Sequence, residues 1–222
     1  MQMQSLRNEL CDICHRMWQN GWVAANDGNV SALTEDNRIL CTPSGVSKRD
    51  VMPDMLIVTD LSGNILEGNR RVSTELPMHL RCYRDRPDVR AVVHAHPPMS
   101  TTFAVANKPL DDYAMIETIL TFGTVPVAPY AVPGTDQVPE SIAPFIANHD
   151  AVLLRAHGAI TVGCDLITAY YRMETLEQFA RITLYSKLLG GAEELTREQV
   201  EELIDRRSKF YHMPGVHPGI EK

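Results

Sequence analysis

The chain has 222 residues, 44% of them apolar and 22% charged, and a formal net charge of -7. A globular protein of this size and composition buries about 70% of the surface its unfolded chain exposes. The negative balance, with no basic stripe, argues against nucleic acid or a membrane surface as a partner held by bulk electrostatics, while a local pocket for a small anion stays open. No run approaches the roughly 20 apolar residues of a membrane span. The opening stretch to Glu9 has neither the charged start nor the apolar core of an export signal, so a cytoplasmic protein is expected. Without a Gly/Ser-rich linker or low-complexity run to divide it, 1–222 is expected to form one domain. The five cysteines, at 11, 14, 41, 82 and 164, are odd in number and scattered. They offer no disulfide framework and fit a reducing compartment.

From Ser5 to Gln19 the apolar residues Leu6, Leu10, Ile13, Cys14, Met17 and Trp18 recur at three and four, which predicts an amphipathic helix closed near Gly21. Cys11-Asp-Ile-Cys14-His15 within it matches a c-type haem attachment pattern, but that chemistry goes with export; packed helix residues are the expected reading. Two turns rich in small polar residues follow, at Ala25–Ser31 and at Thr42-Pro-Ser-Gly45, each joined to a short strand. Met55 to Asp60 reads as a third strand, and the Gly63-Asn64 turn makes a hairpin with the residues after it. Around Val72–Tyr83, Ser73 or Thr74 is placed to cap a helix whose first turn holds Glu75 and tolerates Pro77. There Glu75 complements the helix dipole or does chemistry, and His79 is read as a core histidine.

Val89 to Pro98 reads as a buried strand ending in His94 and His96, stopped by Pro97 and Pro98. Side chains two apart on a strand point the same way, so both imidazoles share one face, the geometry of paired metal ligands. Helices are expected at Met99–Ala106, Tyr113–Phe122 and Pro139–Asn148, with a proline-flanked edge strand at Thr124–Tyr130 between the last two. Ala151 to Gly158 is a second strongly apolar strand carrying His157 at its end, with Gly158 turning the chain into Ala159–Gly163. Asp165 caps a long helix to about Leu189, and Thr196 with Gln199 forms a capping box for a last helix through about Arg206.

His94, His96 and His157 supply the ligand count of an open catalytic zinc site, with a fourth position left for water or substrate. The turns at Gly28–Ser31 and Thr42–Gly45 and the helix start at Ser73-Thr74 offer hydroxyls and backbone N–H groups suited to a phosphate. A P-loop lysine motif, a Gly-x-Gly-x-x-Gly unit and a Gly-x-Ser-x-Gly elbow are all missing, so nucleotide sites and serine chemistry have no support.

The ordered set Gly28-Asn-Val-Ser31, Thr42-Pro-Ser-Gly45, Ser73-Thr-Glu75, His94-Ala-His96 and Ala156-His-Gly158 resembles the class II aldolase/adducin family over about Ser5 to Leu189. The resemblance implies a three-layer α/β/α sandwich around a mostly antiparallel mixed sheet, assembled as a homotetramer with active sites between subunits. It implies zinc, or manganese or cobalt, on His94, His96 and His157, with Glu75 as the acid/base. Gly28, Asn29, Ser44, Gly45, Ser73 and Thr74 would cradle the phosphate of a small phosphorylated sugar. The expected reaction is reversible cleavage of a ketose 1-phosphate into dihydroxyacetone phosphate and an aldehyde. Sugar-acid phosphate decarboxylase, pentulose-phosphate 4-epimerase and an adducin-like assembly domain are the alternatives. One departure concerns the second acid: family aldolases carry a tyrosine directly before a Met-Ile pair, whereas here Ala114 precedes Met115-Ile116, and Tyr113, one residue away, is the candidate, with Tyr211 a weaker match near the end of the chain.

Overall fold

The computed structural model describes residues 2–220. Eight strands form one mixed sheet: β1 (Asn29–Leu33), β2 (Ile39–Cys41), β3 (Ile57–Thr59), β4 (Ile65–Glu67), β5 (Ala91–Ala95), β6 (Val127–Ala128), β7 (Ala151–Leu154) and β8 (Gly158–Gly163). Their spatial order is β4-β3-β2-β1-β5-β8-β7-β6. All neighbours are antiparallel except β6, which lies parallel to β7. The edge position of β6 follows from its flanking Pro126 and Pro129, which have no N–H to donate, and only two residues of the expected Thr124–Tyr130 strand pair.

Seven helices cover this sheet: α1 (Gln2–Gln19), α2 (Leu76–Asp85), α3 (Pro98–Ala106), α4 (Ile116–Thr121), α5 (Gln137–Ile146), α6 (Leu166–Leu188) and α7 (Arg197–Lys209). The inner strands are apolar on both faces because both faces are covered. On β5, Ala91, Val93 and Ala95 pack with Leu10, Ile13 and Met17 of α1 and Met173 and Leu176 of α6. Val92 turns to the other face and packs with Met78 and Cys82 of α2 and Ile142 and Ile146 of α5. The result is the three-layer α/β/α arrangement. Alternation then fixes the location of chemistry: His94 shares the parity of Val92 and faces the α2 layer.

Three local expectations shift. Gly158, expected to end one strand and begin a turn, instead opens a six-residue strand to Gly163, buried throughout and paired on both sides, and the turn falls earlier, on the three residues 155–157. The helix expected from Tyr113 starts only at Ile116. Glu75 stands at the N-cap of α2 rather than in its first turn, and Ser73 Oγ accepts the Glu75 N–H at 3.2 Å. The capping aspartate of α6 and the Thr196/Gln199 capping box of α7 are as read from the sequence. Cys11 and Cys14 are buried in the α1 core, where burial pushes their thiols up to about 11 and about 12, and the His15 ring hydrogen-bonds the Val51 carbonyl at 2.9 Å. Packed thiols of this kind have no access to a haem.

At the other end of the molecule from β4, the residues after α7 are strapped down by arginines. Arg207 donates to the carbonyls of Leu120, Met213, Pro214 and Val216, and Arg172 to those of Val162 and Pro214. Arg172 and Arg86 both reach the fully buried carboxylate of Asp150, at 2.6 and 2.8 Å.

Candidate active site

β5 and β7 are each antiparallel to β8 and therefore run in the same direction, which carries His94, His96 and His157 to one end of the sheet. The approach is close enough to need particular backbone. A Cβ on Gly158 would lie 2.5 Å from the Ala95 carbonyl oxygen and 2.5 Å from His96 Cδ2, so only glycine lets the β7–β8 hairpin settle against β5. Ala156, just before His157, is held at φ 58°, a left-handed conformation that non-glycine residues adopt at some cost and that turns the His157 ring toward the other two. Gly28 has φ +71°, and a Cβ there would meet the His94 carbonyl oxygen at 2.9 Å.

The three imidazoles face one another with centroid separations of 4.8 to 5.0 Å. Their ligand-capable nitrogens all lie within 4.8 Å of one another, the only such cluster of three or more His, Cys, Asp or Glu side chains among the described residues. His94 Nδ1 is 2.9 Å from the Ala159 carbonyl oxygen, an acceptor, so Nδ1 carries the proton and Nε2 presents a lone pair to the centre. His96 Nε2 lies 3.2 Å from that atom, while its Nδ1 faces Asp27 Oδ2 at 3.5 Å. Burial pushes all three imidazoles down from the ordinary histidine value, which keeps them neutral. Neutral nitrogens turned lone pair to lone pair, with a carbonyl and a carboxylate fixing the far side of two rings, make a donor set that fits a divalent cation.

Glu75 completes this centre. Its carboxylate lies 3.2 Å from His157 Nε2 and 3.4 Å from His94 Nε2, and it accepts from Asn29 Nδ2 at 2.7 Å. Burial pushes the carboxyl up, but the facing imidazoles and the Asn29 amide outweigh it, and the net direction is down. Asn29 sits directly opposite His94 in the β1–β5 register, so the sheet itself sets their distance. A cavity of about 150 Å³ opens over the cluster, lined by Asp27, Gly28, Asn29, Ser44, Gly45, Ser73, Thr74, Glu75, His96 and His157. Six of these are the residues expected to cradle a phosphate. The Ser44 N–H is already given to the Arg71 carbonyl, so Ser44 brings its hydroxyl, and Ser73 accepts from Glu75 and Asn29. A larger groove of about 600 Å³, between Leu6, Thr34, Arg38, Arg90 and Asp165, lies away from this centre and holds no converging ligand set.

Tyr113 is not brought to the cluster within one chain. It is buried beside Val200 and Ile119, with its hydroxyl donating to the Gly219 carbonyl at 3.4 Å. Tyr211 lies half exposed after α7. Sequence reasoning missed two residues that shape the site. Asp27 backs His96; its position inside the Asn-Asp-Gly-Asn turn was the signal available. Lys48 is 1% exposed and donates from Nζ to the Asn26 and Val46 carbonyls, tying together the two loops that bear Gly28 and Gly45. His79 is 1% exposed and hydrogen-bonded to Ser31 beneath Asn29, a core histidine as read.

Residues 8–184 match the family described as Class II Aldolase and Adducin N-terminal domain. The chain belongs to the class II aldolase/adducin family. An L-fuculose phosphate aldolase of Methanococcus vannielii is 34% identical over 174 residues, 78% of this chain and 93% of that protein. A 3-oxo-tetronate 4-phosphate decarboxylase of Escherichia coli is 33% identical over 184 residues, 81% of this chain and 86% of that protein. Among solved structures, an L-fuculose 1-phosphate aldolase superposes with a TM-score of 0.85 at 28% identity, covering 91% of this chain and 95% of that one. These class II relatives are aldolases and decarboxylases acting on sugar phosphates, so the lyase class fits while the particular reaction differs among them.

Proposed function

We propose that this chain is a zinc-dependent aldolase that reversibly cleaves a ketose 1-phosphate, of the L-fuculose 1-phosphate kind, into dihydroxyacetone phosphate and an aldehyde. The observation that carries the reading is the meeting of two chemistries in one cavity: three histidine nitrogens with Glu75 on one wall, and hydroxyl and N–H donors on the other. His94, His96 and His157 would hold the metal, and three imidazoles with an open position suit zinc first and manganese or cobalt after it. When bound, the ion supplies Lewis-acid polarisation of the substrate's carbonyl and hydroxyl oxygens and offsets the negative charge that grows as the carbon–carbon bond breaks.

The chain's own residues do the rest. Gly28, Asn29, Ser44, Gly45, Ser73 and Thr74 hold the phosphate through neutral donors; among the described residues no arginine or lysine lines the cavity. In the cleavage direction Glu75 takes the proton of the C4 hydroxyl, directly or through one water, as the C4 carbonyl forms and the C3–C4 bond breaks with its electron pair left on C3, and then delivers that proton to C3. Addition runs the same steps backwards. A carboxylate within 3.4 Å of two of the histidine nitrogens is placed for that transfer, and general acid–base help of this kind is worth about 10² to 10⁴ in rate. Tyr113, buried against the C-terminal segment, does not act as the second acid from within its own subunit. We further propose a single domain, a cytoplasmic location and a homotetramer; the exposed Ile182, Tyr185, Leu188 and Leu189 of α6 and the residue after it are suited to a subunit contact.

A second reading, decarboxylation of a 3-oxo sugar-acid phosphate, is favoured by the decarboxylase relative and by Ala114 standing where an aldolase tyrosine is expected. The zinc-loaded protein is tested against a panel of ketose 1-phosphates with coupled detection of dihydroxyacetone phosphate. Its release supports the aldolase. A blank panel, with carbon dioxide evolved from a 3-oxo-sugar-acid 4-phosphate, replaces it with the decarboxylase.

A further inference from the structure

Beneath the Asn29–Glu75 pair lies a second, much smaller cavity, with room for the centre of about one water molecule, roughly 10 Å³. Asn29, Thr42, Ser73 and His79 line it. Two buried polar atoms of that lining have no hydrogen-bond partner, His79 Nε2 and Asn29 Oδ1. Both residues are more than nine-tenths buried, at 1% and 6% exposure, so neither atom is satisfied by bulk solvent.

Two proton orders fit the hydrogen bonds behind His79, and the unpartnered acceptor across the cavity, Asn29 Oδ1, favours the one that ends on a donor at Nε2. The Tyr83 hydroxyl is 2.7 Å from Ser31 Oγ, and Ser31 Oγ is 2.7 Å from His79 Nδ1. In that order the Tyr83 hydroxyl donates to Ser31 Oγ. The Ser31 proton then goes to His79 Nδ1, which must accept. A neutral ring that accepts at Nδ1 carries its proton at Nε2. Neutrality itself is secure, since burial pushes His79 down to about 3. On the other side of the cavity, the Glu75 carboxylate accepts only, so the Asn29 group facing it at 2.7 Å is the NH2, and the amide oxygen faces the other way.

We propose that His79 is a positioning residue: through one buried water it donates from Nε2 to Asn29 Oδ1, and so locks the Asn29 amide with its N–H groups toward Glu75 and the anion cavity. The polarity runs without a break from Tyr83 through Ser31 and His79 to Asn29, a chain in which each donor has one acceptor. Ser73 and Thr42 give the water further polar neighbours. The proposal rests on the reading that Asn29 serves an anion site, and its test separates the two.

The metal-loaded full chain is labelled with 15N at histidine, and long-range proton–nitrogen correlation identifies the His79 ring by its absence in His79→Gln. A neutral Nε2–H tautomer is expected; an Nδ1–H tautomer overturns the proposal. Binding of inorganic phosphate, measured by calorimetry without turnover, gives the second readout. His79→Leu should weaken phosphate about tenfold, the size of one hydrogen bond to a charged group. His79→Gln, which returns an amide N–H near the Nε2 position, should recover most of it. In an Asn29→Ala background the His79→Leu loss should vanish, which a general structural role would not produce. Equal phosphate affinity in wild type and His79→Leu, or an undiminished loss in the Asn29→Ala background, overturns the proposal. Absence of phosphate binding in wild type instead removes the anion-site reading, and the tautomer still decides His79's hydrogen bonding. If His79→Leu does not fold, the Gln variant and the spectrum remain.

Discussion

The same two strands, β5 and β7, carry buried charge at both ends, and the ends are built on opposite principles. Before their amino ends, Arg86 and Asp150 lie 2.8 Å apart, Arg172 joins at 2.6 Å, and Arg86 also binds Asp88. Cations and anions there neutralise each other, and the arginines' remaining N–H groups go to backbone carbonyls. Beyond their carboxyl ends, His94, His96 and His157 meet Glu75 with acceptors turned toward acceptors. The first cluster sets each charge beside an opposite one within the chain; the second sets acceptor toward acceptor and fits a cation. The comparison teaches that it is the pairing of buried polar groups, and not their burial, that separates structure from function.

Breaking each end should therefore give opposite signatures. Glu75→Gln, at the unpaired end, is expected to lower turnover about 10² to 10⁴-fold, with metal content and unfolding midpoint close to wild type. Steady-state kinetics beside metal analysis checks it; full activity with metal retained would remove Glu75 from the chemistry. Asp150→Ala, at the paired end, strands Arg86 and Arg172 without their shared carboxylate, and should destabilise by about 3 to 5 kcal/mol in denaturant unfolding. Below its lowered midpoint the folded protein should still bind metal with unchanged affinity. A loss of metal affinity in folded Asp150→Ala would mean that the two ends are coupled through the strands.

Much of the unpaired end was legible in the sequence because it is built by local rules. Alternation along Val92-Val93-His94-Ala95-His96 forces the two imidazoles onto one face whatever else the chain does. Short polar turns announce themselves through Gly, Ser and Asn. What stayed hidden depends on pairings distant in sequence. Asp150 gives no hint that it will meet Arg86, 64 residues earlier, and Arg172. Gly158 looked like the start of a turn because it is glycine, yet that glycine is required by the approach of Ala95 and His96, a tertiary demand. The N-cap position of Glu75 was missed by one residue, and that residue decides whether the carboxylate supports a helix or faces the histidines.

A smaller change sharpens the boundary between the two ends. Gly158→Ala places a methyl group against the Ala95 carbonyl and the edge of the His96 ring, so the hairpin must shift away from β5. The expected cost is about 1 to 3 kcal/mol of stability. Metal affinity should fall as well, because His96 and His157 part. Competition with a chelator of known affinity measures this, and an unchanged metal constant would show that the histidine set tolerates movement of its hairpin.

The smallest expected effect lies at the rim of the paired end. Asp88 is 46% exposed, and its hydrogen bond to Arg86 holds its carboxyl below the ordinary aspartate value near 3.8. A carboxylate depressed in the folded state contributes stability that is fully present above its unfolded value and is lost as pH falls through the folded one. Asp88→Asn should therefore be less stable than wild type at pH 7, by under about 1 kcal/mol given the solvent around the pair. The gap should close only as pH drops below about 4. Asp150, in contrast, is wholly enclosed between two arginines, and its loss should be felt across the neutral range with little help from salt. Unfolding curves of both variants at low and high ionic strength separate the cases. A salt-sensitive deficit in Asp88→Asn beside a salt-insensitive one in Asp150→Ala places the paired end's stability in its buried carboxylate, and equal salt sensitivity would move it to the rim.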